Sequence, residues 1–299
     1  MSLVERALKK LQESRAAADA ASPPAAPMPV AAPAPAREPA SPAAAGIRKS
    51  TRVARVDRDA LRAAELLPTP AEERMLAHEY RQIKRPLLAN AFGRGGAPIP
   101  KGRVILVASA LPGDGKTFTA INLALSMARE KDMRVLLVDA DIAKPHVSRI
   151  LGVVGEAGLL DVLRDGSLDV ESVVLPTDVE GLEILPAGRD SETATELLAS
   201  PRMETIVAQL TANDPNRIVL FDSPPLLLTS ESRVLSAVAG QAILVVSAGI
   251  TPQQAVLDAI AFIGEGRYVG LVLNQCEQRS QGEYYKYHDQ REDSGQSAT

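Results

Sequence analysis

Short runs rich in Val, Ile and Leu alternate along this chain with segments in which apolar residues repeat at helical spacing. The runs are typical of strands buried on both faces, and they lie at residues 103–109, 134–139, 217–222, 241–248 and 268–273. The helical patterns lie between them, at about 116–131, 192–212, 230–239 and 252–264. This alternation predicts an α/β fold with a doubly wound, mostly parallel sheet flanked by helices.

Two of the predicted helices begin with a capping signal. Thr69-Pro70-Ala71-Glu72 combines a Thr N-cap, a Pro at the first helical position and a Glu three residues after the cap. We therefore expect a helix that runs from here toward Ala91. Thr251 to Gln254 has a related form and predicts the start of the last helix.

The N-terminal segment differs from this pattern. Residues 2–15 carry apolar side chains at helical spacing and predict a short amphipathic helix, which would dock on a partner protein, on anionic lipid or on its own domain. Residues 16–46 are rich in Ala, Pro and Ser and are expected to be disordered or extended. The predicted organisation is a helix at 1–15, a linker at 16–56, a globular domain at 57–278 and a flexible tail at 279–299.

Composition and charge narrow the possible functions. The single cysteine, Cys276, excludes a disulfide framework, and the three histidines lack metal-ligand spacing. No apolar run approaches the ~18 residues that span a bilayer, so we expect a cytoplasmic protein. Residues 1–100 carry a net charge of +6 and residues 101–299 a net charge of −10. The basic segment is either an arm for an acidic surface or an imbalance without consequence, and no nucleic-acid partner is expected.

A phosphate-binding motif follows the first predicted strand. Residues 110–117 read ALPGDGKT, which matches A/G-x4-G-K-S/T with Ala at the first position. A loop of this kind directs backbone N–H groups and the start of a helix toward one anion. The residues expected to bind nucleotide here are Gly113, Asp114, Gly115, Lys116, Thr117 and Phe118. Lys116 would reach the β- and γ-phosphates and Thr117 would ligate Mg²⁺, so the cofactors expected are ATP and Mg²⁺.

Carboxylates follow two further strands. Asp139 and Asp141 come at the end of one, and Asp222 ends another, before Ser-Pro-Pro. The carboxyl ends of parallel strands meet at one edge of a doubly wound sheet, where ligands bind. Acids at strand ends are often only the first residues of loops, but beside a phosphate loop these three predict a magnesium–nucleotide site.

These motifs resemble those of the bacterial tyrosine kinases that govern exopolysaccharide synthesis, which are deviant P-loop ATPases related in fold to the partitioning ATPases. The matching segments are the phosphate loop, VLLVDAD at 135–141 followed by Lys144-Pro145, and FDSPP at 221–225. EYRQIKRPLL at 79–88 and SLVERAL at 2–8 look like the exosortase-associated tyrosine autokinases in particular.

The resemblance implies a role for each matching residue. Lys116 and Thr117 would contact phosphate and Mg²⁺, and Asp141 and Asp222 would be carboxylates of the metal shell. Asp139 would act as the base for the incoming tyrosine hydroxyl. Asn274 resembles a residue that contacts the nucleotide base, with a capping or turn role as the alternative.

The resemblance also implies substrates and partners. The chain's own Tyr284, Tyr285 and Tyr287 would be the phosphoacceptors, modified in trans within a homo-oligomer. A membrane chain-length or co-polymerase protein would activate the kinase and bring it to the inner membrane, and a tyrosine phosphatase would reverse the reaction. The family's oligomerisation motif Glu-x2-Arg-x2-Arg reads His78, Arg81 and Lys84 here, which puts the implied ring assembly in doubt.

Two other hypotheses remain open at this stage. Partitioning and septum-site ATPases share the predicted fold and switch membrane attachment by ATP-dependent dimerisation, but Leu111 stands where their signature Lys would be. A non-enzymatic adaptor with bound ATP is the other, because the presence of a motif indicates capacity and not turnover.

Overall fold

The computed structural model describes residues 52–189, 192–264 and 266–276. The predicted N-terminal helix and the tyrosine-bearing tail lie outside the described residues. So does nearly all of the predicted linker.

A seven-stranded sheet forms the centre of the described structure, with the strand order β3-β4-β2-β5-β1-β6-β7. The strands are β1 Val104–Ser109, β2 Arg134–Asp139, β3 Leu175–Pro176, β4 Leu182–Leu185, β5 Arg217–Asp222, β6 Gln241–Ser247 and β7 Tyr268–Asn274. All neighbouring strands are parallel except β3 and β4. The doubly wound, mostly parallel prediction is confirmed, and the five predicted strands agree with the structure to within one residue.

Helices cover both faces of this sheet. They are α1 Arg58–Ala63, α2 Glu73–Phe92, α3 Lys116–Ala128, α4 His146–Ile150, α5 Leu159–Arg164, α6 Ala194–Leu198, α7 Pro201–Ala212, α8 Glu231–Val238 and α9 Gln253–Ile263. Successive residues of each strand point to opposite faces, so Leu106 and Phe221 join one apolar cluster while Ile105 and Leu220 join the other. Within the described segments, no helix is both long enough and apolar enough to cross a bilayer.

Three helix predictions need correction. The segment 192–212 forms two helices, because Ser200 is extended and Pro201 starts the second helix at its first position. The Thr69–Glu72 contact forms, with the Glu72 carboxylate accepting from the Thr69 amide at 3.1 Å and from its hydroxyl at 2.8 Å. The helix nevertheless begins at Glu73, three residues after the predicted first position Pro70, and its N-cap residue is Glu72.

The third correction concerns Thr251, which does not cap α9. No side chain caps that helix, and its N-cap residue is Pro252. The Thr251 hydroxyl instead accepts a hydrogen bond from the Ser247 amide at 3.0 Å and donates one to the Asp114 carboxylate at 2.7 Å. A residue expected to start a helix therefore supports the phosphate loop.

Candidate nucleotide-binding site

The phosphate loop connects β1 to α3 and depends on two glycines in left-handed conformation. Gly113 has φ +88° and Gly115 has φ +93°. A Cβ atom on Gly115 would lie 2.0 Å from Nδ2 of Asn274 and would displace that side chain, and the positive φ would strain any other residue there. This backbone path brings Lys116 and Thr117 to the N-terminal turn of α3, where the helix dipole favours an anion.

Asp114 and Asn274 hold the loop from inside the protein. The buried Asp114 carboxylate accepts hydrogen bonds from the Leu111 amide at 3.1 Å and from the Thr251 hydroxyl at 2.7 Å. Asn274, at the end of β7, donates through Nδ2 to the Asp114 carbonyl at 2.9 Å. The Gln275 amide group donates to the Gly113 carbonyl at 3.1 Å. These contacts fix the shape of the loop, and for Asn274 they favour the turn-stabilising alternative.

Phe118 is half-buried, and its side chain packs against the apolar cluster on the α2 and α3 side of the sheet. Its backbone carbonyl accepts a hydrogen bond from the Asn122 side chain at 2.7 Å. Any contact of Phe118 with nucleotide is therefore expected from its backbone amide.

The three predicted carboxylates meet at the carboxyl edge of the sheet, beside the loop. Asp139 and Asp222 are paired in register at the ends of β2 and β5, and both are fully buried. Asp141 lies just beyond β2, and its Oδ2 is 3.3 Å from the Lys116 ammonium nitrogen. One loop lysine and three carboxylates thus share one small volume.

Ser148 is a site residue that the sequence did not indicate. Both its amide and its hydroxyl donate to Oδ2 of Asp139 at 2.7 Å, and the hydroxyl accepts from the Ala187 amide at 3.1 Å. It lies in α4, which starts just after β2. The Asp139 carboxylate is therefore anchored on one oxygen, while its Oδ1 has no hydrogen-bond partner among the described residues.

Burial makes the charged forms of these acids unfavourable. It raises the pKa of Asp222 to about 8, Asp139 and Asp141 add to the rise, and Lys116 and Thr117 oppose it. Burial likewise raises the pKa of Asp139 to about 6 against the two Ser148 donors. Neither Asp222 oxygen has a hydrogen-bond partner of acceptable geometry among the described residues. The cluster therefore has three carboxyl groups and a single cation, Lys116.

A divalent cation with a phosphate ligand fits this deficit. Across the described part of the chain, no three His, Cys, Asp or Glu side chains are arranged to hold a metal ion by themselves. Mg²⁺, however, is usually bound through one or two carboxylates, with water and substrate phosphate completing its shell. The unpaired Asp222 oxygens and the neighbouring Asp141 carboxylate are metal ligands of this kind.

Comparison with known proteins agrees with this site. Residues 102–263, more than half of the chain, match the family model described as an AAA domain. The chain is also 31% identical over 185 residues to the tyrosine-protein kinase YwqD of Bacillus subtilis, covering 61% of this chain and 76% of that protein. The chain belongs to the AAA domain family and, within it, to the bacterial tyrosine kinases.

Other members of this kinase family are longer. The tyrosine-protein kinase wzc of Salmonella typhimurium is 30% identical over 190 residues, which are 62% of this chain and 26% of that protein. The chain thus spans about a quarter of that relative's length.

Solved kinase domains share the fold. The kinase domain of Escherichia coli tyrosine kinase ETK is 25% identical with a TM-score of 0.59, over 69% of this chain and 77% of that one. The VpsO kinase domain is 27% identical with a TM-score of 0.57, over 70% of this chain and all of that one. The predicted resemblance to bacterial tyrosine kinases and the predicted P-loop fold are confirmed.

Proposed function

We propose that this chain is an ATP-dependent protein-tyrosine kinase whose main substrate is its own tail, at Tyr284, Tyr285 and Tyr287. The observation that carries the proposal is the meeting of three buried carboxylates with Lys116 and Thr117 at the end of a phosphate loop. Membership of the bacterial tyrosine kinase family supports tyrosine as the acceptor.

The phosphate loop and its neighbours would bind the nucleotide. Backbone amides of residues 113–118 and the Lys116 ammonium group would contact the phosphates. Thr117, Asp141 and Asp222 would hold Mg²⁺, which supplies charge neutralisation for the transferred phosphoryl group. Lys116 and the N-terminus of α3 add to that neutralisation from the protein side.

Asp139 would accept the proton of the attacking tyrosine. With a pKa of about 6, its carboxylate is mostly ionised at neutral pH and still basic enough to take a proton. As the phenolic oxygen forms its bond to the γ-phosphorus, its proton passes to Asp139, and the bond from that phosphorus to the bridging oxygen breaks to release ADP. Ser148 would keep the carboxylate oriented throughout.

The biological setting follows from the relatives. One of them, 31% identical over 187 residues, is the succinoglycan biosynthesis transport protein ExoP of Rhizobium meliloti. We therefore place the kinase in the regulation of exopolysaccharide synthesis or export. A membrane co-polymerase would recruit it peripherally to the inner membrane as an oligomer, and a tyrosine phosphatase would reset the tail.

The test is incubation of the full chain with Mg-ATP, followed by mapping of phosphate by mass spectrometry. We expect phosphate on the three tail tyrosines, its loss in Lys116→Ala, and its retention in the control Lys131→Ala, whose exposed lysine lies outside the site. Hydrolysis of ATP without tyrosine phosphorylation would refute the kinase proposal and favour an ATPase switch.

A mixing experiment addresses transfer in trans. Lys116→Ala protein with an intact tail is combined with active protein whose three tail tyrosines are changed to Phe. Phosphate on the Lys116→Ala chain is the expected outcome. Its absence, although wild-type protein phosphorylates its tail and the tail-substituted protein hydrolyses ATP under the same conditions, would show that transfer occurs only within one chain.

A further inference from the structure

A second cleft lies between α1, α2 and the C-terminal half of α3, outside the nucleotide site. Its volume is about 230 Å³. Five cationic side chains line it, together with only two carboxylates, Glu73 and Glu130. The five cations are Arg58, Arg62, Arg81, Lys84 and Arg129.

The two carboxylates do not neutralise all five cations. Glu130 lies 2.7 Å from the buried Lys84, whose ammonium group also donates to the Ser126 carbonyl at 2.7 Å. Glu73 is more distant from its neighbours, at 3.6 Å from Arg58 and 3.9 Å from Arg62, and Asp59, outside the cleft, pairs with Arg62 at 3.1 Å.

Two exposed arginines and one buried nitrogen atom of the cleft have no acceptor among the described residues. Arg81 and Arg129 form no hydrogen bond or ion pair with any residue that the structure describes. Nε of Arg62 is buried and likewise lacks an acceptor within the described residues. An unpaired buried donor is unfavourable, so an incoming anion would gain interactions that the protein alone does not make.

The same cleft has an apolar wall. Leu67, Leu76, Leu125 and the ring of Tyr80 line it beside the cations, and Leu67 and Tyr80 are buried. A small anion would use only the arginines, whereas a phosphorylated aromatic side chain would use both surfaces, with its ring on the apolar wall. Arginine also suits phosphate, because its planar guanidinium donates two parallel hydrogen bonds.

We propose that this cleft binds phosphotyrosine in a peptide, specifically the phosphorylated tail segment Gly282–His288 of this chain. The inference rests on the proposed function for the origin of the phosphate, which adds about −1.5 to −2 charges per tyrosine. The concave shape and the apolar wall of the cleft suit an inserted side chain better than they suit a flat membrane surface. Occupancy of the cleft would therefore report the phosphorylation state of the tail.

The test uses a synthetic Gly282–His288 peptide phosphorylated on Tyr285, with binding to the full-length Lys116→Ala chain followed by fluorescence anisotropy. Because the phosphate is added chemically and the protein is inactive, binding is measured whether or not the chain is a kinase. We expect the unphosphorylated peptide to bind at least about tenfold more weakly, since it lacks the charge-assisted hydrogen bonds.

Substitutions locate the binding. Arg81→Gln and Arg129→Gln, singly and together, should weaken phosphopeptide binding, by about tenfold or more for the pair. Arg85→Gln is the matched control, because Arg85 is exposed on the same helix as Arg81 but does not line the cleft. Thermal unfolding verifies the fold of each variant, and sedimentation velocity verifies an unchanged oligomeric state, because Arg81 stands in the oligomerisation motif. The exposed position of Arg81 makes its single substitution usable if the pair unfolds.

Several outcomes would overturn the proposal. Equal binding of both peptides, or equal losses in Arg81→Gln and Arg85→Gln, would remove the cleft from phosphopeptide recognition. If inorganic phosphate competes as well as the unlabelled phosphopeptide on a molar basis, the cleft is a simple anion site. Arg81-dependent binding to phosphatidylserine vesicles without phosphopeptide binding would assign it to lipid.

Discussion

Replacing Asp222 with Asn should stabilise the nucleotide-free protein while abolishing phosphoryl transfer. The Asp222 carboxyl is fully buried, has no hydrogen-bond partner of acceptable geometry among the described residues, and lies close to Asp139 and Asp141. Its ionised form is therefore unfavourable in the fold when no cation is bound. Asn has the same shape and no charge, so it removes this penalty together with the proposed metal ligand.

The size and sign of the effect follow from the pKa, which rises from 3.8 to about 8 on folding. Between these values the folded carboxyl holds a proton that the unfolded one has lost, so the free energy of unfolding falls as pH rises. The slope is at most ~1.4 kcal/mol per pH unit. At pH 7 the accumulated penalty is on the order of 4 kcal/mol, and it is absent below pH 4.

The expected net gain is smaller than this penalty. The Asn amide would itself lack partners, which costs about 1–3 kcal/mol. We therefore expect Asp222→Asn to gain roughly 1 kcal/mol or more at pH 8, with the gain shrinking and then reversing as the pH is lowered toward 4.

Urea unfolding at pH 5, 6, 7 and 8, in EDTA and without nucleotide, measures this difference. Asp258→Asn is the control, because Asp258 is exposed on α9 and should give a difference that is flat across the series. Adding Mg²⁺ and a non-hydrolysable ATP analogue should stabilise the wild type more than Asp222→Asn. A difference between wild type and Asp222→Asn that does not change with pH would refute the reasoning.

Two other substitutions test separate parts of the structure. Ser148→Ala removes the hydroxyl that donates to Asp139, so the pKa of that acid should rise further above about 6. The acidic limb of the pH profile of kcat should then move to higher pH, and an unmoved limb would exclude Asp139 as the base. Glu171→Gln breaks the buried ion pair with Arg217 at the start of β5, while Arg217 keeps its ion pair with Glu183 at 2.9 Å, so the free energy of unfolding should fall by about 2 kcal/mol. The exposed ion pair between Glu204 and Lys101 gives the comparison, since Glu204→Gln should cost less than about 1 kcal/mol in the same urea titration; equal losses would contradict the role of burial.

The sequence predicts the long central strands because they are apolar and uniform, but it misses β3 and β4. β3 has only two residues and contains Pro176, and β4 has four residues with a charged Glu183 inside it. Segments this short do not establish a period that distinguishes strand from loop. The pairing of β3 with β4 comes from tertiary contact, and local sequence carries little trace of it.

Site residues can be predicted from the sequence when their position at the end of a strand or in a loop motif fixes where they lie in the fold. Asp139 and Asp222 follow from the rule that strand ends converge. Ser148 does not, because its contact with Asp139 depends on how α4 turns back over β2. Thr251 and Gln275 are similar cases, since each contacts the phosphate loop from beyond a strand that is far from the loop in sequence.

Helix α3 connects the two sites described above. Its first residues, Lys116 and Thr117, form the end of the phosphate loop, and Arg129, its C-cap residue, lines the basic cleft. A displacement of this helix is the means by which binding at one end could be coupled to binding at the other. If the sites are coupled in this way, nucleotide must change the affinity for phosphopeptide by the same factor as phosphopeptide changes the affinity for nucleotide. Factors that differ from one would show that a phosphorylated tail regulates ATP binding, whereas factors of one would make the two sites independent.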